Sequence, residues 1–253
     1  MSRLPVLRPM RRSIEAGFSL VELMIAVTIG LFITAALGAV FINSKSAFNS
    51  QDQLAQLQDG ERLAMTLLTS TVQLAGYYPT PNQTTKLAQL PLGTAVPGSA
   101  ATFSASAGVV GASNGATGDL LATRYSVVAS DSQTSCLGDA PAGATPVAYI
   151  NVFSVSAGGD LQCQTSGGAN DGALVSLVSG VASMTVMYGI DPTGTGNPTQ
   201  YATAAGVTAA NAWAGVKTAQ ITINFKNPYY NNGQGGQAQT IPWVTTVSLM
   251  NSN

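Results

Sequence analysis

The chain has 253 residues, is 45% hydrophobic but only 8% charged, and carries a formal net charge of −1. It contains no histidine and no glutamate after Glu61, which removes the side chains most used for general acid–base catalysis and metal ligation, so an enzyme is not expected, nor a cofactor or metal. Past Leu74 the basic residues are Lys86, Arg124, Lys217 and Lys226, too scattered for the concentrated basic surface of a nucleic-acid binder.

The chain opens with "MSRLPVLRPMRRSIEAG", residues 1–17, where four arginines against Glu15 give a net +3 and leave −4 for the remainder. This short basic leader is expected on the cytoplasmic side of a membrane. Residues 18–42 follow with Glu22 as their sole ionisable member. As a helix they span about 37 Å, enough to cross a hydrocarbon core of about 30 Å. An ordinary secretory signal has a shorter apolar core with its small-residue cleavage site behind it. Here the small residue, Gly17, stands in front, so cleavage there keeps the apolar segment in the mature chain.

The helical pattern continues beyond the apolar run. In residues 43–78, Leu54, Leu57, Ala64, Leu68, Val72 and Ala75 fall near one face, while Gln53, Gln56, Asp59 and Arg62 fall mostly off it. The spacing predicts one helix from Phe18 to about Gly76, with Pro79 and Pro81 preventing its resumption. Residues 79–118 are rich in Ala, Ser, Thr, Gly and Pro and read as a long loop with short strands at most. From Asp119 to Asn253 β signals recur: "DLLATRYSVVA", "PVAYINVFSVS", "DLQCQT", "ALVSLV", "VASMTVMYGI", "VKTAQITINFK" and "WVTTVSLM". Short links such as "AGGD" favour hairpins and an antiparallel sheet, one face of which buries the amphipathic half of the helix. The fold class is α+β. Cys136 and Cys163 read as one disulfide in an exported protein and as two buried thiols otherwise.

A basic leader ending in Gly17, then "FSLVELMIAVTIG" with Glu22 at the fifth place after the glycine, resembles the signal shared by type IV pilins and type II secretion pseudopilins. The resemblance implies a pilin-like fold, cleavage by a prepilin peptidase between Gly17 and Phe18, N-methylation of Phe18, and a role for Glu22 in setting assembly register against a neighbour's new amino terminus. The stretch ending "LQDGERLAMTLLTSTVQLAGYY" resembles the helix of PilW-type minor pilins through Leu57, Gln58, Arg62, Ala64, Leu67 and Ala75-Gly76-Tyr77. "VASMTVMYGIDPTGTGNPTQY" and the closing "PWVTTVSLMN" are similar to that family's later strands.

Two departures stand out. Ala39 occupies the place where many major pilins have a proline. The loop after the "YGID" strand keeps only Asp191, where acid-richer relatives suggest calcium, so a Gly/Pro-rich hairpin loop is the expectation. "GASNG" (Gly111–Gly115) matches a nucleophile-elbow pattern, but that needs a histidine and a strand-turn-helix context. The "NQT" sequon at Asn82 is too short a signal to carry weight. Trp213, Tyr229, Tyr230 and Trp243 are expected in core or strand-edge packing rather than in a binding site.

The resemblance implies a minor pilin that primes type IV pilus assembly and sits in the fibre at or near its tip. Before assembly it would be a single-pass inner-membrane protein with a periplasmic head, and the fibre would then carry it to the cell surface. Its implied partners are the prepilin peptidase, other minor pilins and the major pilin, the inner-membrane assembly platform and membrane lipid, with no direct contact to nucleic acid. A type II secretion pseudopilin, and an adhesin or DNA-uptake module on a pilin anchor, are the alternatives.

Overall fold

The computed structural model describes Gly17, residues 19–230 and residues 236–251. Phe18 and the leader before Gly17 lie outside the described residues. The chain divides into two compact units, one ending at Gln51 and one beginning at Asp52. Helix α1, Leu20–Leu74, contributes to both and is 55 residues long. The sequence reading placed its ends two residues further out. At the start, the Ser19 hydroxyl accepts from the Glu22 N–H at 3.2 Å, a side-chain cap that fixes the first turn. At the end, Gly76 takes φ +81°, the left-handed conformation that stops a helix and that glycine reaches without a Cβ penalty.

Up to Ile42, α1 is apolar on every side apart from Glu22 and two threonines, and it is uncovered, from Ile25 at 54% to Phe32 at 78% exposure. It is long and apolar enough to cross a membrane. An apolar helix with no protein over it needs lipid or other helices around it.

The second unit holds the β-rich head. Among the described residues nine strands run Val109–Ser113 (β1), Asp119–Val127 (β2), Val147–Val155 (β3), Asp160–Ser166 (β4), Leu174–Ser179 (β5), Val181–Ile190 (β6), Gln200–Thr203 (β7), Val216–Lys226 (β8) and Thr240–Ser248 (β9). They form two sheets, ordered β1-β2-β3-β4-β5 and β7-β6-β8-β9, with every pairing between these strands antiparallel. The expectation of one sheet is therefore corrected to two. They meet where Gly118 bridges Met184 in parallel and the Asp119 carboxylate accepts from the Val186 N–H at 2.8 Å.

Residues 79–118, read as a long loop with short strands at most, hold little regular structure. The segment contains a short helix α2, Lys86–Gln89, an isolated bridge between Ala95 and Thr102, and the whole of β1. A further short helix, α3 (Ala204–Ala209), follows β7.

One core unites these layers. Ala64, Leu68 and Val72 of α1, and Ala75 just past its end, are fully buried and share a cluster with Leu121, Phe153, Leu161, Met184, Ile221, Ile223 and Phe225 of the two sheets. Each such Leu, Ile or Phe contributes roughly 1.5–3 kcal/mol. The ring of Trp213 meets Tyr188 edge-on at 4.8 Å, and both are buried. The end of α1 is fastened by backbone: Gly76 N–H donates to Arg124 O at 2.8 Å and Arg124 N–H to Gly108 O at 2.7 Å. Gly108 lies so near that a Cβ there would meet Gly76 Cα at 2.7 Å, so any side chain would push the helix end away.

Candidate functional site: the start of the long helix and its head

Glu22 stands in the first turn of α1, five places after Gly17. It is exposed, as are its neighbours Leu20 (76%), Val21, Leu23 and Met24. A carboxylate in such surroundings is costly in hydrocarbon, on the order of 3 kcal/mol, and intramembrane acids generally acquire a partner. Its place near the helix N-terminus, where backbone N–H groups point outward, favours negative charge modestly. Ser19 and Glu22 have the S-x-x-E spacing of a capping box, and the hydroxyl half of that box is formed. That spacing was present in the sequence and went unread.

In the head, Cys136 and Cys163 are joined in a disulfide with a Cα–Cα distance of 6.6 Å. It ties the long β2–β3 connection to strand β4. Polar contacts reinforce the same corner: Cys136 N–H donates to Asn151 Oδ1 at 2.7 Å, and the Ser135 hydroxyl donates to Asp139 at 3.2 Å. Asp139 also accepts from the backbone and side-chain amides of Asn170, in the β4–β5 connection. The connection is thereby stitched down across β3, whose Asn151 takes part.

Arg124 was counted in the sequence only as a scattered cation. It is 1% exposed in the middle of β2, whose residues are buried along nearly their whole length. Its guanidinium donates to Pro91 O (2.6 Å), Thr94 Oγ1 (2.8 Å), Leu90 O (3.3 Å), Ser104 O (3.1 Å) and Ala107 O (2.9 Å). It also lies over the Phe103 ring at 4.5 Å. Burial lowers its pKa to about 10, still high enough to hold the proton at neutral pH. One cation therefore gathers the carbonyls of residues 90–107 and gives order to a segment of low sequence complexity. Glu61, on the inner face of α1, is likewise buried, and burial raises its pKa.

Asp191, in the loop after β6, faces donors. Its Oδ2 accepts from the Gly196 N–H at 2.6 Å and its Oδ1 from the Thr193 N–H and hydroxyl at 3.2 and 3.0 Å. Burial pushes this carboxyl up, but these bonds outweigh it and hold the group below the ordinary carboxylate range. The carboxylate closes its own loop. "GASNG" spans the end of β1 and the turn after it, not a strand-to-helix elbow. Trp213 is buried in the core and Trp243, 43% exposed, stands on the edge strand β9, as core or strand-edge packing requires, whereas Tyr229 and Tyr230, exposed at 41% and 36%, follow β8 outside any strand.

With this geometry in place, comparison with known sequences is informative. The family described as Type IV Pilus-assembly protein W matches residues 149–252, from β3 through the last strand. The prokaryotic N-terminal methylation motif matches residues 12–38, which contain Gly17 and Glu22. The chain thus joins an N-terminal methylation motif to a PilW-like C-terminal region. No curated protein matches it. Among solved structures, a type IV-like pilin from Thermus thermophilus is similar at a TM-score of 0.42 and 12% identity, over 78% of this chain and 97% of that one. The methylation motif and the apolar helix suit a membrane-anchored pilin, and the motif implies processing by a prepilin peptidase.

Proposed function

We propose that the chain is a minor pilin that primes type IV pilus assembly and enters the fibre at or near its tip, acting by assembly and not by catalysis. The observation that carries the reading is Glu22, an acid exposed in the first turn of an otherwise apolar helix directly behind Gly17. Prepilin peptidase cuts the Gly17–Phe18 bond and the new amino terminus at Phe18 is methylated. The resulting cation neutralises Glu22 of a neighbouring major or minor pilin as the helix leaves the inner-membrane platform. Pairing in the apolar interior lowers the cost of both charges, and because it requires one axial offset it fixes register, while the apolar flanks supply adhesion. The head faces the periplasm before assembly and the exterior afterwards. Lipid covers the helix until neighbours replace it.

The test separates processing from incorporation. Gly17→Glu should leave the precursor at full mass, whereas Glu22→Ala should be inserted and cleaved but missing from sheared fibres. Normal incorporation of the Glu22→Ala chain would overturn the register mechanism. Deleting the gene tests priming: loss of all surface fibres supports it. Intact fibres with lost attachment would indicate an adhesin, and trapped exoproteins would indicate a secretion pseudopilin.

A further inference from the structure

Strand β1 is an edge of the five-stranded sheet and pairs only with β2. In an antiparallel pair, alternate residues turn their N–H and C=O towards the neighbouring strand, and the residues between turn theirs away. Arg124 N–H donates to Gly108 O and Asn114 N–H to Gly118 O, so the even-numbered positions of β1 bond to β2. Val109, Gly111 and Ser113 therefore turn their backbone groups to the free edge.

Gly111 is buried, yet its outward N–H and C=O have no hydrogen-bond partner among the described residues. The Tyr188 hydroxyl is also buried and unpartnered. A Cβ at Gly111 would lie 2.1 Å from that oxygen, so the phenol abuts the bare backbone. Buried backbone groups are rarely left unpaired, and here they gather at one residue of an edge strand. The edge strand β9 differs. Asn227 N–H donates to Gln239 O and Leu249 N–H to Lys217 O, which puts Pro242 on its free edge, where the missing N–H interrupts a further ladder. Strand β1, "VVGAS", has no proline.

The same stretch of β1 lines a hollow of about 930 Å³, together with the turn at residues 98–101 and helix α3. Helix α3 packs against β1 and leaves this space open beside Gly111. No lining side chain is larger than that of Asp119, the one charged residue there, and its carboxylate is engaged by the Val186 N–H. The hollow therefore makes no demand for a charged ligand. Its methyl groups come from Ala100 and Ala101 of the turn and from Ala205 and Ala209 of α3. Backbone donors and acceptors at strand spacing have their complement in another extended backbone, and methyl-lined space has its complement in apolar side chains.

We infer that the free edge of β1 takes an extended peptide segment with β-branched apolar side chains at alternate positions, added to the first sheet as a further strand. The segment exchanges hydrogen bonds with the N–H and C=O of Gly111 and continues the ladder at Ser113. Its alternate side chains fill the hollow against the alanines of α3 and of the turn. The main chain supplies affinity, and the dimensions of the hollow select the side chains. This strand-addition site goes beyond the minor-pilin reading and does not depend on Glu22.

The full chain in detergent micelles tests this with a fluorescein-labelled peptide of alternating valine and threonine, about six residues long, the usual length of a strand. Its anisotropy should rise saturably, and amide exchange at Gly111 and Ser113 should slow about tenfold or more on binding. The same peptide N-methylated at every residue keeps its side chains but has no ladder donors, and it should not bind the unaltered chain. Ala205→Phe, which fills the hollow from an exposed position of α3, should weaken binding about tenfold. The inference is overturned by an absence of saturable binding, by equal binding of the N-methylated peptide, by affinity indifferent to Ala205→Phe, or by protection that appears elsewhere and not at Gly111.

Discussion

The Asp119 carboxylate accepts a hydrogen bond from the Val186 N–H at 2.8 Å, so the first residue of β2 is tied to the middle of β6 and one sheet to the other. A hydrogen bond to a charged acceptor contributes about 1.5–3 kcal/mol. Asp119→Ala should lower the stability of the head by about that amount, measured as a shift in the urea midpoint followed by near-ultraviolet circular dichroism. Asp119→Asn keeps an acceptor oxygen and should lose less than half as much.

Arg124 offers a sharper contrast. Lysine has one nitrogen where arginine has two donor-bearing arms, so Arg124→Lys cannot satisfy the carbonyls of Leu90, Pro91, Ser104 and Ala107 together. Stranding buried acceptors costs about 1–3 kcal/mol apiece. Arg124→Lys should therefore destabilise by about 3 kcal/mol or more, and amide exchange in residues 90–107 should accelerate before exchange in β8 does.

The disulfide closes a sequence separation of 27 residues. Replacing both cysteines with alanine should cost about 3–4 kcal/mol by the loop-entropy argument. Loss should first appear as proteolytic nicking of the β2–β3 connection. Asp139 and Asn170 still hold that corner, so the variant head should fold and be cleavable rather than absent.

Alkali should expose the buried phenols. Burial raises Tyr125 to about 12 and pushes Tyr188 well above its ordinary value. A group whose pKa is higher folded than unfolded gives stability that is complete below the unfolded value and lost as pH rises through the folded one. The head should therefore lose stability from about pH 10 upward through about 12. In a spectrophotometric titration these two tyrosines should ionise only together with the loss of tertiary circular dichroism. Ionisation of all eight tyrosines ahead of that loss would contradict the burial described.

Much of this fold could be read from residue order, and the exceptions have physical causes. The long helix was legible because Leu20–Leu74 contains no proline and its inner positions, Ala64, Leu68 and Val72, keep helical spacing. Strands β6 and β8 were legible through Met184-Val186-Tyr188 and Ile221-Ile223-Phe225, whose alternation matches their burial. Strand β1 was not, since "VVGAS" sits in a stretch of small residues and takes its identity from pairing with β2. Strand β7, "QYAT", is four residues long and shows no alternation of burial. Nor could alternation reveal two sheets, because it reports which face is covered and not which strand lies alongside. At the candidate site, Gly17 and Glu22 were visible as a motif. Arg124 was hidden because an isolated basic residue reads as surface, and its burial depends on carbonyls brought from 17 to 34 positions away.

Strand order also bears on how the head forms. In the five-stranded sheet each strand lies beside its predecessor in the chain, so every pairing closes a short contour and loses little loop entropy. A polypeptide made from its N-terminus can zip this sheet strand by strand while its later residues are still being synthesised. The second sheet has no such freedom: after β7 the chain must cross β6 to set β8 on its far side before β9 has anything to join. The slow step in folding should therefore fall late, in the last sixty or so residues, which makes the C-terminal sheet the portion most exposed to chaperones and proteases before the head is complete.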